Sequence, residues 1–338
     1  MNNPAPARPF PGSPALRLWL LGGVLILVFL LSLFWGRYPA PGFISPGQAA
    51  ADPMAQALIL NLRLPRLISA LLIGMSLSAA GLAFQTIFAN PLVEPGFLGV
   101  SQGAAFGAAF CIVFLSGAAW LVQGSAVLFG MLGLGFSYLL ARRIRFGGWV
   151  LRLLLSGIAV SAFFSAGVGL LKYLADPLRQ LPEITFWLLG GLWSITWKQI
   201  LAAVPLLLPG LFLILLMRWR LNLLSLEDDV AVSLGIAAGR ERLILLLAAV
   251  TVTAASISIS GLIGWAGLIV PHLARRLMGA DTRRTVPAAL LMGGIFMILC
   301  DDLGRTLLAG EIPLGILTSF LGALVFILLM TRPILPQT

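Results

Sequence analysis

The chain has 338 residues, of which 59% are hydrophobic and 10% are charged. A soluble domain carries about 25% charged residues, so this composition excludes an ordinary water-soluble enzyme. The net charge of +10 would suggest nucleic acid in a soluble protein, but here the basic residues lie between apolar runs. That arrangement is typical of the cytoplasmic loops of a membrane protein, so we expect lipid and no nucleic acid as a partner.

The sequence contains few residues of the kinds that bind metals or act in catalysis. Cys111 and Cys300 lie inside apolar stretches and His272 is the single histidine, so no disulfide framework or zinc spacing is present. The sequence contains no G-x-x-x-x-G-K-[ST] or H-E-x-x-H motif. We therefore expect neither an enzyme nor a metal site, and no cofactor bound by this chain.

Apolar stretches of about 20 residues predict membrane-spanning helices. Ten stretches qualify, at 17–36, 60–82, 93–115, 119–141, 151–174, 196–217, 240–260, 262–278, 286–308 and 312–331. The first is longer than the apolar core of a secretory signal and no clear small-x-small cleavage site follows it, so it is interpreted as a retained helix.

The basic residues orient these helices, because cytoplasmic loops are enriched in Lys and Arg. With the N-terminus inside, most of the 22 basic residues fall on the inner side. The outer ones are Arg37, Arg63, Arg66, Lys172, Arg179, Lys198 and Arg305. Both termini are thus expected in the cytoplasm of a multi-pass protein with one transmembrane domain, 17–332. The segments 1–16, which we expect to be disordered, and 333–338 are predicted tails, and 218–242 is the largest inner loop.

Three of the outer arginines lie at helix ends. Arg63 and Arg66 flank Pro65 at the start of the second span, and Arg305 lies with Glu311 near the last outer connection. They either reach lipid phosphates or form a docking ring for an acidic external partner. Asp301 and Asp302, late in span nine, are either hydrated or paired with Arg305 at helical spacing.

Small residues mark two segments. Gly99, Gly103 and Gly107 are four residues apart, which would place them on one helix face. Gly261, Gly264 and Gly267 are three apart and predict a similar groove. Intramolecular helix packing and a dimer seam are both consistent with such faces. Before the first set, the two prolines of residues 90–95 predict the end of a helix.

The inner loop contains a candidate coupling segment. Ser225 is a plausible N-cap, with Asp228 three residues later, for a short helix that ends near Gly235. This helix would either lie on the lipid surface or contact a cytoplasmic machine. The residues expected to carry such a contact are Ser225, Leu226, Glu227, Asp228, Ala231, Leu234 and Gly235.

Six sequence blocks resemble one family in the same order. They are R-L-P-R at 63–66, N-P-L-V-E-P-G-F-L-G-V-S-Q-G-A-A-F-G-A at 90–108, F-W-L-L-G-G-L-W at 186–193, S-L-E-D-D-V-A-V-S-L-G at 225–235, G-L-I-G-W-A-G-L-I-V-P-H-L-A-R-R-L-M-G-A-D-T-R-R at 261–284 and E-I-P-L-G-I-L-T-S-F-L-G-A at 311–323. From about residue 60 to 332, the chain is similar to the FecCD permeases, membrane subunits of type II ABC importers. Departures from the family pattern are Gly191 in place of serine, the doubled Asp301-Asp302, and Leu324 in place of proline.

The resemblance implies an all-α permease of ten helices in a bacterial inner membrane. The implied partners are a second permease subunit, expected to be identical, two cytoplasmic ATPase subunits that use ATP and Mg²⁺, and an external binding protein. By the resemblance, Arg63, Arg66 and Arg305 match the docking arginines, and residues 225–240 match the loop that contacts the ATPase.

The substrate is less defined than the class. The resemblance implies an iron complex (siderophore or haem) or cobalamin. The segment from Asp176-Pro177 to Trp187 is similar to a molybdate or tungstate branch, which stays an alternative. An ion-coupled secondary transporter is the other alternative. It would require buried carboxylates at mid-membrane, and the sequence places none outside the helix ends.

Overall fold

The structure, a computed structural model, describes residues 13–38, 42–115, 117–225, 233, 235, 237–308 and 310–331. Fourteen α-helices lie within those ranges. They are α1 (Pro14–Phe34), α2 (Pro46–Ala51), α3 (Pro53–Leu58), α4 (Leu64–Ile87), α5 (Val100–Phe114), α6 (Ala119–Arg143), α7 (Trp149–Leu174), α8 (Gln180–Leu189), α9 (Trp197–Leu216), α10 (Arg218–Leu224), α11 (Ala238–Ser260), α12 (Ala266–Met278), α13 (Thr282–Thr306) and α14 (Leu314–Thr331).

Ten of these helices correspond to the predicted spans, which confirms the helical membrane fold. Seven stretches in the described part of the chain are long and apolar enough to cross a membrane, one of them the continuous Pro53–Ile87. The other three predicted spans correspond to α5, α12 and α14, which are shorter. A π-helical turn, Ile59–Arg63, joins α3 to α4.

Two spans begin later than predicted. The third span was expected from residue 93, but α5 begins at Val100, after a 3₁₀ turn at Pro95–Leu98. Pro91 and Pro95 cannot donate the backbone bonds that a helix requires, and Gly99 adopts a left-handed φ of 81°. The eighth span was expected from 262 and begins at Ala266, because Gly261 and Trp265 both have φ of 69°.

Some elements on the outer side were not expected. The helix α8 lies between α7 and α9. The antiparallel strands β1 (Trp35–Gly36) and β2 (Gly42–Phe43) follow α1, with Trp35 opposite Phe43. The short helix α2 is held by a capping box between Ser45 and Gln48.

The helix α4 lies at the centre of the bundle, and glycines bring its neighbours close. A Cβ on Gly81 would lie 1.8 Å from the carbonyl oxygen of Gly267 in α12. A Cβ on Gly74 would lie 2.1 Å from the carbonyl oxygen of Gly293 in α13. Close backbone approach of this kind is how helices associate where lipid surrounds them.

The first predicted glycine set packs against α6. A Cβ on Gly103 would lie 2.3 Å from the carbonyl oxygen of Phe129, and one on Gly107 would lie 2.5 Å from that of Ser125. Gly99 precedes the helix and serves as its N-cap, but it also approaches α6, at Gly133.

The second predicted glycine set shares no helix face. Residues 261–265 are not helical, so Gly261 faces the carbonyl oxygen of Trp187, and Gly264 lies near the Glu94 carboxylate. Only Gly267 belongs to α12, where it contacts α4. The expected groove is therefore replaced by a loop that joins three different elements.

Candidate functional site

Arg66 lies at the outer end of α4 and is engaged by two carboxylates. Its Nε donates to both carboxylate oxygens of Asp301, at 2.8 and 3.0 Å, and its Nη1 lies 2.9 Å from both oxygens of Glu311. The Arg66 side chain is 13% exposed and that of Asp301 is fully buried, whereas that of Glu311 is 37% exposed. Arg66 thus ties α4 to α13 and to the segment before α14.

Arg305 is also paired internally. Its Nε donates to Asp302 at 3.1 Å, and its Nη2 donates to the backbone oxygen of Ser32 at 2.7 Å. The Ser32 hydroxyl donates to the same carboxylate. The expected pairing of Asp302 with Arg305 is present, and it links α13 to α1.

Arg63 differs from Arg66 and Arg305 because its hydrogen-bond partners among the described residues are backbone oxygens and not carboxylates. Its guanidinium donates to Leu33 at 3.2 Å and to Tyr38 at 3.4 Å. Together with Arg37, Arg66 and Arg305 it lines an outer cavity of about 340 Å³. Glu311 also lines this cavity, and Arg66 and Arg305 already have carboxylate partners, so an incoming acidic group would meet Arg63 without a carboxylate partner among the described residues. The docking role of these arginines stays a prediction.

The middle of the bundle contains a carboxylate that was not expected there. Glu94 is partly buried, and its Oε1 accepts a hydrogen bond from the Trp265 backbone N–H at 3.0 Å. Trp265 packs on Gly322, near the midpoint of α14, and precedes Gly267, which lies against α4. Residues 88–94 therefore return from the inner end of α4 toward mid-depth. Glu94 lies in the segment between the end of α4 and the start of α5, so it does not interrupt a helix.

On the inner side, α10 is joined to the start of α13. The Asn222 side chain donates to Asp281 at 2.7 Å and accepts from the Thr282 backbone N–H at 2.8 Å. Asp281 is the N-cap of α13 and accepts from the Arg283 N–H at 3.0 Å. The guanidinium of Arg283 lies 3.4 Å from the ring centre of Trp219. This α10–α13 joint directly precedes the predicted coupling segment.

Asp281 has a lowered pKa. Burial alone would raise the pKa of this carboxyl, but hydrogen bonds from Asn222 and the Arg283 amide, together with the charges of Arg283 and Arg284, lower it below its usual value. The carboxylate form is therefore the one that the joint favours.

Most of the predicted coupling residues lie outside the described part of the chain. These are Leu226, Glu227, Asp228, Ala231 and Leu234. Ser225 is described: it is the C-cap of α10, and its hydroxyl donates to the Asn222 backbone oxygen at 2.7 Å. Gly235 has a φ of 79°, which suits a helix C-terminus.

Sequence reasoning missed two of these groups. The sequence analysis used residues 90–95 only to end a helix, and Glu94 gave no signal of its own because its partner Trp265 lies 171 residues away. Asn222 gave little signal, because its partners lie about 60 residues away. The sequence Asp281-Thr282 before an apolar stretch was a detectable N-cap signal.

Comparison with known proteins establishes the class. The profile of the FecCD transport family matches residues 24–332. The chain belongs to this family, and it is a multi-pass membrane permease of the ABC importer type.

Individual relatives extend over nearly the whole chain. The molybdate import system permease protein MolB of Haemophilus influenzae is 39% identical, over 90% of this chain and 91% of its own length. The hemin transport system permease protein HmuU of Yersinia pestis is 38% identical, over 93% and 95%. A solved metal-chelate type ABC transporter in an inward-facing conformation has a TM-score of 0.87 and 37% identity, covering 94% of this chain and 99% of its own.

Proposed function

We propose that this permease passes an iron complex, a siderophore chelate or haem, or else cobalamin, into the cytoplasm. The observation that carries the iron assignment is the recurrence of iron compounds among relatives similar over most of their length. Besides HmuU, a probable iron chelatin permease of Helicobacter pylori is 42% identical over 81% of this chain. In this proposal the chain binds no cofactor and performs no chemistry on its cargo.

Molybdate or tungstate import is the second candidate. It is supported by the 39% identity to MolB and by the resemblance of the segment before and within α8. In the structure, Asp176 organises that segment by accepting from the backbone N–H groups of Leu178 and Arg179, at 2.9 and 2.8 Å. The segment lies on the outer side, where cargo would enter.

The proposed assembly contains two copies of this chain. One observation in support is a broad exposed face of α7 that includes Ala159, Ala162 and Ala166 together with the apolar Phe163. Small residues at these spacings let a second helix approach closely in lipid. A second copy placed there would enclose a pathway that one chain leaves open.

Energy is proposed to come from two partner ATPases that use ATP and Mg²⁺ and contact the 218–242 loop. An external binding protein would deliver the cargo to the outer cavity. Glu94 reopens the ion-coupled alternative, since this carboxylate lies at mid-depth. Its recorded hydrogen bond to a backbone N–H gives it a positioning role that requires no ion.

Transport in cells separates the candidate cargoes. A strain without this permease should lose uptake of one class among labelled ferric siderophore, haem, cobalamin and molybdate, and the cloned chain should restore it. Restored uptake of an iron complex or cobalamin supports the proposal. Restored uptake of molybdate alone would contradict it and establish the second candidate.

A further inference from the structure

A second cavity, of about 300 Å³, lies at the inner ends of α6, α7 and α11. We call it the inner arginine cavity. Its lining includes Arg142, Arg152, Arg242, Trp149, Leu243 and Leu246. Three of them are arginines and none is acidic. The orientation of the chain places the cavity at the cytoplasmic leaflet, where anionic lipid head groups concentrate.

Two of its arginines have no carboxylate partner among the described residues. Arg142 makes no recorded hydrogen bond or ion pair there, and Arg152 donates only to the Ile144 backbone oxygen, at 3.3 Å. The Nε of Arg152 is buried and has no hydrogen-bond partner in the described chain. A buried guanidinium nitrogen in that state is stabilised by an anion that accepts from it.

The third arginine forms the wall of the cavity. Arg242 is 8% exposed, and its guanidinium lies 5.5 Å from the ring centre of Trp149. This cation–π contact holds the arginine beside the cavity. The positive charges thus come from three helices and converge on one space.

The opposite side of the cavity is apolar and continues onto the outside of the bundle. Leu153 and Leu246 are buried there, whereas Leu243 is 37% exposed and Leu247, one turn further along α11, is 42% exposed. A free phosphate would use only the charged end of this space. A phospholipid would use both ends, with its phosphate at the arginines and an acyl chain along Leu243 and Leu247.

We propose that the inner arginine cavity binds the phosphate head group of an anionic phospholipid. The occupant is a phosphate diester, such as that of phosphatidylglycerol, and its chains lie in the lipid. By tying α6 and α7 to α11, it would fix the inner ends of the helices that flank the coupling loop.

The test is native mass spectrometry of the full-length chain released from nanodiscs that contain phosphatidylglycerol and phosphatidylcholine. We expect the wild type to retain phosphatidylglycerol selectively. Each of Arg142→Gln and Arg152→Gln should weaken retention about fivefold. The matched control is Arg143→Gln, because Arg143 is exposed on the same helix and does not line the cavity. Retention in that control should equal that of the wild type.

The variants also provide results that would contradict the proposal. Arg142 has no recorded contact to lose, so Arg142→Gln should fold even if Arg152→Gln does not. Unchanged retention in Arg142→Gln would refute the site, as would an equal loss in Arg143→Gln. Displacement of the lipid by millimolar inorganic phosphate would show that the site takes free phosphate, and would refute the lipid assignment.

Discussion

Arg66 and Asp301, which lie 235 residues apart, form an ion pair at the outer end of the bundle, in which the Arg66 Nε lies 2.8 and 3.0 Å from the two carboxylate oxygens. The carboxylate has no exposed surface. A buried pair is costly to break, because the remaining partner is left charged without compensation. This geometry makes Arg66 a structural residue of the permease, whatever else it contacts.

Asp301→Asn should destabilise the chain strongly, by about 3–5 kcal/mol, since it leaves Arg66 with only its exposed partner. Glu311→Gln should cost at most about 1 kcal/mol, because a partly exposed pair contributes little. Thermal unfolding in detergent measures both. Equal losses in the two variants would show that burial does not govern this network.

The outer arginines should differ in how they affect the binding protein. Arg63 has only backbone oxygens as recorded partners, so Arg63→Gln should lower binding-protein affinity and leave thermal stability nearly unchanged. Glu311→Gln should raise the affinity, since it frees Arg66 for an incoming carboxylate. Affinity at low and high salt provides the measurement, because rim charges set salt dependence. If neither variant changes the affinity at low salt, these residues do not form the docking surface.

The α10–α13 joint should transmit the motion of the ATPase. Asn222→Ala removes hydrogen bonds to Asp281 and Thr282, so transport should fall several-fold while ATP hydrolysis continues. Arg276→Gln, an exposed change on the same side, is the control. Transport and hydrolysis rates of the reconstituted complex decide the outcome, and a wild-type ratio in Asn222→Ala would remove the joint from the coupling path.

The same joint should be sensitive to acid. The pKa of Asp281 is lowered in the folded state. Its contribution to stability is therefore present above the unfolded value of about 3.9 and is lost as pH falls through the folded value. Hydrogen exchange of α10 should accelerate over that acidic range in the wild type. In Asp281→Asn the acceleration should be absent, and its persistence would assign it to another group.

The glycine contacts of α4 should tolerate no side chain. Gly81→Val would place its Cβ 1.8 Å from the carbonyl oxygen of Gly267, so folding or yield should collapse. Gly124→Ala has nothing within 4 Å of the added Cβ and should behave as the wild type. Yield of monodisperse protein is the readout, and a stable Gly81→Val variant would contradict the packing of α4 on α12.

The sequence alone predicted the positions of the spanning helices and the ion pairs within one helix. It did not predict how far into the bundle a residue lies. Hydropathy located α6 and α9 within two residues, because lipid imposes length and apolarity on each crossing. The pairing of Asp302 with Arg305 followed from helical spacing. The pairing of Arg66 with Asp301 depends on which helices are neighbours, and the position of Glu94 depends on a loop that returns toward mid-depth. Neither relationship is encoded in local spacing.

Uptake into proteoliposomes tests most directly whether this chain is the permease of an ABC importer. The vesicles would contain the chain and its partner ATPase, with the loaded binding protein outside and ATP or a non-hydrolysable analogue within. The account predicts that the iron complex or cobalamin accumulates only with hydrolysable ATP and the binding protein, and that collapsing the ion gradients has no effect. Accumulation that persists without ATP hydrolysis and stops when a proton or sodium gradient is collapsed would contradict it.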